Sequence, residues 1–171
     1  TPVLTCENID EETKSSIFFK CDNFQKTGSF KIRGATNKIL QLSKEQLDNS
    51  VITTSSGNHG AAVSSTASKL GTSVRVIMPN NTPKVKVNNV KRYGGKIIFC
   101  EPNIKSREST LNKMVNETGA TIVHPYNDEK IIAGQGTAAK ELLESIPDLD
   151  VIIAPVSGGG LLAGTLLAAK N

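Results

Sequence analysis

A lysine, a glycine run and a polar loop are the parts of this 171-residue chain whose types and spacing could do chemistry. Lys31 lies in Lys26-Thr27-Gly28-Ser29-Phe30-Lys31-Ile32-Arg33-Gly34-Ala35, between a strand-like run and a helix-like one. Gly28 suits a tight turn, and Ser29 is the expected helix cap. Lys31 then falls in the first helical turn, where the partial positive charge of the helix end opposes a cation. That penalty lowers an ammonium pKa, and a neutral amine can attack an aldehyde. Ser157-Gly158-Gly159-Gly160 offers a second chemistry. Consecutive glycines let backbone N–H groups converge on an anion with a helix end behind them, and a phosphate is the natural guest. The spacing matches neither GxGxxG nor the GK[ST] of a nucleotide P-loop. The third stretch, Ser55-Ser56-Gly57-Asn58-His59-Gly60, brings hydroxyls, an amide and helix-end N–H groups suited to a carboxylate. Each also has a plainer reading: a solvated lysine, a close-packed turn, and a capping loop with a structural His59.

The elements that must position these groups alternate along the chain. Strands are expected over 17–21, 51–54, 73–78, 96–100, 121–123 and 150–155. Helices are expected over 30–42, 61–70, 83–93, 106–118, 131–145 and 161–169, with Pro83 just inside one start and Gly71 just past one end. Residues 43–50 read as a polar link. Alternation of this kind predicts parallel strands with right-handed crossovers, an α/β architecture. Residues 51–121 read as a small lobe, with 1–50 and 122–171 as a larger, partial one. All three loops follow strands, so they can meet in one cleft beyond the strands' carboxyl ends. A reactive lysine, a phosphate cradle and a carboxylate loop in one cleft describe a pyridoxal-phosphate enzyme acting on amino acids.

Composition narrows the alternatives. Aromatics are 4% and Trp is absent, so the core is aliphatic, as buried parallel strands are. The net charge of +4 is scattered rather than gathered into a basic, aromatic-bearing face, which argues against nucleic acid. Cys6, Cys21 and Cys100 lack CxxC spacing and read as reduced thiols. His59 and His124 have no second ligand at metal spacing, so no metal site is expected within the chain. The longest apolar stretch, 161–169, is too short for a bilayer, and no signal-peptide pattern opens the chain; a cytoplasmic, membrane-free protein is expected.

Four motifs resemble those of the serine racemase and serine/threonine dehydratase family of pyridoxal-phosphate enzymes, the tryptophan synthase β-like fold type II. They are Phe24 to Ala35, Ser55 to Gly60, Ala133-Gly134-Gln135-Gly136-Thr137, and Val156-Ser157-Gly158-Gly159-Gly160-Leu161-Leu162-Ala163-Gly164. They stand in the family's order from one end of the chain to the other. The resemblance implies that Lys31 carries the cofactor and acts as base on one face, with Phe30 against the ring. It implies that Asn58 bonds the ring's phenolic oxygen, and that Ser157, Gly158, Gly159, Gly160 and Leu161 hold the phosphate. Ser56, Asn58, His59 and Arg107 would contact the substrate, with the Ser56 hydroxyl as a second acid/base on the far face. The activity implied is interconversion of L- and D-serine, with β-elimination of serine to pyruvate and ammonia.

The same resemblance implies a homodimer, ATP as activator at Lys26, Thr27 and Tyr93, and Mg2+ bound by ligands outside this chain. It also puts the residue facing the pyridine nitrogen beyond the chain, so the large domain is incomplete. Tyr126 departs from relatives, where Asn or Phe is common. Three other readings stay open: an L-threonine/L-serine dehydratase without racemase activity, a silent fragment that only pairs with another subunit, and a nucleotide-binding module using the glycine loop alone.

Overall fold

The computed structural model describes residues 1–170; residue 171, the last of the expected large lobe, lies outside them. The chain runs β1 (Val3–Leu4), α1 (Glu7–Thr13), β2 (Phe19–Lys20), α2 (Lys31–Ile39), α3 (Lys44–Asp48), β3 (Val51–Thr54), α4 (Asn58–Lys69) and β4 (Val74–Pro79). It continues through α5 (Lys84–Arg92), β5 (Lys96–Cys100), α6 (Ile104–Thr118), β6 (Thr121–Ile122), α7 (Glu129–Ser145) and α8 (Gly160–Ala169). Two short 3-10 turns, Asp22–Phe24 and Lys26–Gly28, lead into α2.

Four strands form a parallel sheet in the order β5-β4-β3-β6, with Thr53 opposite Val76 and Val51 opposite Thr121. The sheet bears out the α/β expectation. Side chains alternate along each strand, so odd and even positions serve opposite faces. Val51, Val74, Val76 and Met78 join Ala61, Val63 and Val90 of α4 and α5 in one fully buried cluster. Ile52 and Ile77 face the other way, onto Leu111, Met114 and Val115 of α6.

The helices α2, α7 and α8 pack through glycine. A Cβ on Gly164 would stand 2.5 Å from both Gly136 N and Ile132 O, and one on Gly134 would stand 2.6 Å from Gly34 Cα. Those neighbours are backbone, so only hydrogen fits there.

Several expectations are corrected. Ser29 does not cap α2: Phe30 occupies the cap position and the buried Ser29 hydroxyl has no hydrogen-bond partner among the described residues. The polar link contains α3, closed by a capping box between Ser43 and Gln46. The run 17–21 yields only β2, paired antiparallel with β1. Residues 150–155 form no strand and pair with none among the described residues, leaving Val151 and Ile153 exposed. No helix of the described residues is long and apolar enough to cross a membrane.

Candidate functional site

Lys31 opens α2, and its side chain turns inward. Nζ donates to the Pro125 carbonyl at 2.6 Å and lies 5.2 Å from the centre of the Phe30 ring. Burial lowers its pKa below the ordinary lysine value of 10.5. The cause is removal of water from the ammonium, which favours the neutral amine.

Pro125 is followed by Tyr126, and Tyr126 reaches the glycine run. Its ring lies where a side chain on Gly158 would stand, and its carbonyl is 2.9 Å from a Cβ built on Gly160. Gly159 has φ +84°, in the left-handed region, and serves as N-cap of α8. Ala163 N bonds Gly159 O, so the amides before it at the start of α8 have no intrahelical acceptor. One turn of chain thus joins the amine to the glycine cradle.

The third loop ends β3 and opens α4. Ser55 shapes it: its hydroxyl accepts the N–H of Gly57 at 3.1 Å and of Gly60 at 2.9 Å. Among the described residues no acceptor meets the amides of Asn58 and His59, and both belong to the first turn of a 12-residue helix. Such amides suit a carboxylate. Ser56 and Asn58 are exposed at the loop, with no side-chain hydrogen bond among the described residues. Residue types did not single out Ser55, because two adjacent serines precede Gly57 and only the backbone turn decides which one accepts.

His59 differs from its neighbours. It is 3% exposed, and Nε2 lies 3.1 Å from the Val123 carbonyl, so Nε2 carries the proton. Burial, with help from the nearby Lys31, pushes its pKa down to about 4 despite the carbonyl bond. The ring is neutral and inward, with Nδ1 unpartnered among the described residues. Its backbone N–H has no acceptor among the described residues, whereas its imidazole is buried against the Val123 carbonyl. Val123 O also accepts from Thr53 Oγ1 at 2.7 Å, which ties the segment carrying Pro125 to β3.

A cleft of about 370 Å³ is lined by Gly28, Ser29, Phe30, Asn58, Leu161 and Thr165, among others. It therefore gathers three of the expected cofactor residues, Phe30, Asn58 and Leu161, from three helices. Its size suits a small-molecule ligand. Arg107 lies apart on α6, half-buried near Cys100 at the carboxyl end of β5; its Nε is buried without a partner among the described residues. Among the described residues no hydrogen bond joins it to the other groups. Lys26 and Thr27 form the turn before α2, with Thr27 at φ +67°, whereas Tyr93 caps the C-terminus of α5 and packs on the sheet's core. No group of three or more His, Cys, Asp or Glu among the described residues could hold a metal ion.

The donor set fits pyridoxal phosphate on three counts. A desolvated amine suits an aldehyde, a glycine run at a helix start suits a phosphate, and an exposed amide side chain, Asn58, borders the cleft that Phe30 and Leu161 line, although Lys31 and residues 157–160 are not part of that cleft's lining.

Comparison with known proteins agrees with that geometry. The family described as pyridoxal-phosphate dependent enzyme matches residues 1–171. The serine racemase of Arabidopsis thaliana is 51% identical over 171 residues, covering 100% of this chain and 52% of that protein. The β-hydroxyaspartate dehydratase of Paracoccus denitrificans is 48% identical over 98% of this chain and 53% of that protein. The structure of maize serine racemase superposes with a TM-score of 0.97 at 49% identity, covering 99% of this chain and 52% of that one. The chain spans about half the length of the curated relatives it matches.

Proposed function

We propose, given that the chain belongs to the family of pyridoxal-phosphate dependent enzymes, that it carries the reactive lysine and phosphate cradle of a serine racemase that also eliminates serine to pyruvate and ammonia. The observation that carries this reading is the single turn joining Lys31 Nζ, through Pro125 O, to Tyr126 against Gly158 and Gly160. Relatives at 51% and 49% identity are serine racemases, which supports the choice of substrate.

Pyridoxal phosphate, when bound, supplies the electron sink that acidifies the α-proton of an amino acid. Lys31 would hold its aldehyde end, the 157–161 backbone its phosphate, and Asn58 and Phe30 its ring. The free amides of Asn58 and His59 would orient the substrate carboxylate, with Arg107 as a further contact. Lys31 Nζ, kept toward its neutral form by burial, takes the α-proton on one face. Ser56 Oγ returns a proton on the other face, which inverts the centre. Loss of the β-hydroxyl as water instead leads to pyruvate and ammonia.

The finer parts of the reading are a cytoplasmic homodimer, D-serine as product, ATP at Lys26, Thr27 and Tyr93, and Mg2+ held outside this chain. The β-hydroxyaspartate dehydratase relative favours a second reading, elimination without racemisation. Ser56→Ala separates the two. With L-serine in deuterated water, the variant should lose D-serine formation by about a hundredfold while pyruvate continues to form. D-serine formation at the parent rate in that variant rejects Ser56 as the second acid/base. A parent that forms pyruvate and no D-serine favours the dehydratase.

A further inference from the structure

Pro125 and Tyr126 make the two contacts that link the amine to the glycine cradle, and one imidazole holds the turn to which both belong. His124 Nδ1 accepts the N–H of Asn127 at 2.8 Å and that of Tyr126 at 3.2 Å. A ring nitrogen that accepts carries no proton, so His124 is the neutral tautomer with hydrogen on Nε2. Its ring meets Tyr126 edge to face, 4.7 Å between centroids at 86°. The next stretch is held differently. Asp128 Oδ1 accepts from the amides of Lys130 and Ile131, at 2.9 and 3.1 Å, and Oδ2 pairs with Lys38 Nζ at 2.6 Å. The latter half of this segment is thus anchored by a paired carboxylate. The half carrying Pro125 and Tyr126 depends on an uncharged imidazole.

We infer that His124 is a pH-sensitive positioning residue for the cofactor lysine: as a neutral acceptor it fixes the turn that offers Pro125 O to Lys31 and lays Tyr126 on the glycine run, and its protonation releases both. The inference rests on the reading of Lys31 as the amine that carries pyridoxal phosphate. Protonation turns Nδ1 into a donor facing two N–H donors. Two backbone amides, both at exposed residues, then lose their acceptor and turn to water, so the turn loses the two local hydrogen bonds that order it.

The charged and titratable groups around His124 set where this happens. Asp128, on the same segment, favours the imidazolium, while Lys31 of α2 opposes it; His59 of α4, also within electrostatic reach, is itself neutral. Burial is the largest influence and also opposes the charge, so the folded value lies below the ordinary 6.5. The sign follows: the unfolded chain binds the proton more readily, so the turn's contribution is complete above pH 6.5 and is lost as pH falls through the lower, folded value.

Asparagine supplies the test, because its side-chain oxygen accepts the same kind of local backbone N–H and cannot titrate. Affinity for pyridoxal phosphate is measured by equilibrium dialysis from pH 8 to pH 4.5 in the purified parent, His124→Asn and His124→Ala. At pH 8 the parent and H124N should bind alike, and H124A about tenfold more weakly. Below pH 6.5 the parent should weaken about tenfold more than H124N does, while H124A and H124N keep a constant ratio. Superimposable parent and H124N profiles overturn the inference, as does an H124N protein that is unfolded at pH 8. A parent that binds no pyridoxal phosphate at any pH overturns the cofactor reading itself, and the inference with it.

Discussion

In the Lys31→Ala variant, exchange of the α-proton of serine falls by about a thousandfold, the size expected when a positioned acid/base is removed. Lys31→Arg fails as completely. Its guanidinium still reaches toward Pro125 O, yet it stays protonated throughout the accessible pH range and can neither take the α-proton nor attack an aldehyde. The equal loss in the two variants, one of which keeps the charge, separates charge from amine chemistry. The parent's exchange rate should rise with pH toward a lysine pKa displaced below 10.5, because burial favours the free base. Exchange in K31A within tenfold of the parent would remove Lys31 from the mechanism.

The second large effect falls on stability. Arg33 Nε and Nη2 donate to Asp22 at 2.8 and 2.9 Å, and Nη1 and Nη2 donate to Glu141 at 2.6 and 2.9 Å. Thr137 Oγ1 accepts from Nη1 at 3.1 Å, and Lys20 Nζ reaches Glu141 at 2.8 Å. The guanidinium is nearly enclosed, with 6% of its side chain exposed, so its removal leaves the Asp22 carboxylate in a half-closed site without its main partner. Arg33→Ala should therefore cost about 3 kcal/mol in urea unfolding, at the low end for a broken buried pair because Glu141 keeps water and Lys20.

The pH dependence of this network has a definite sign. Hydrogen bonding to Arg33 brings Glu141 down to about 2 against the cost of burial. Burial tends to raise Asp22, but its bonds to Arg33 and Thr1 outweigh that and leave it lowered. Depressed carboxylates stabilise the fold above their unfolded values near pH 4, and that contribution is lost as pH falls toward 2. The acid slope of stability in that window should flatten in R33A. An R33A protein as stable as the parent, with the same slope, would show the network to be ornamental.

Arg33 illustrates what the sequence could and could not reveal. It sits two residues from Lys31 in the same motif, but nothing local announces that Asp22 and Glu141 meet it. Those contacts span 11 and 108 residues. Short-range chemistry was more legible. The capping box Ser43-Lys44-Glu45-Gln46 is written in the order of its residues, although charge density there suggests a link rather than a helix. Ser29 misled because Phe30 enters the helix one residue later, with the hydroxyl buried instead.

The run at 150–155 carries the β-branched pattern of a strand, yet it forms none among the described residues. A ladder also requires a neighbour, and a residue pattern says nothing about who that neighbour is. Lys31 and Gly158 to Gly160 could be singled out as candidates from the order of their motifs. The contacts of Ser55, His124 and Pro125 could not be read there, because a hydroxyl, a ring nitrogen and a carbonyl meet partners that the chain order does not announce.

The most direct measurement is to incubate the purified protein with pyridoxal phosphate, fix the adduct with borohydride and map the modified peptides. A single modified site at Lys31 is expected, lost when Gly158 is replaced by a side chain that must displace Tyr126. Label spread over exposed lysines such as Lys44 and Lys84, with Lys31 unmodified, would contradict the assignment of the amine and of the cradle beside it.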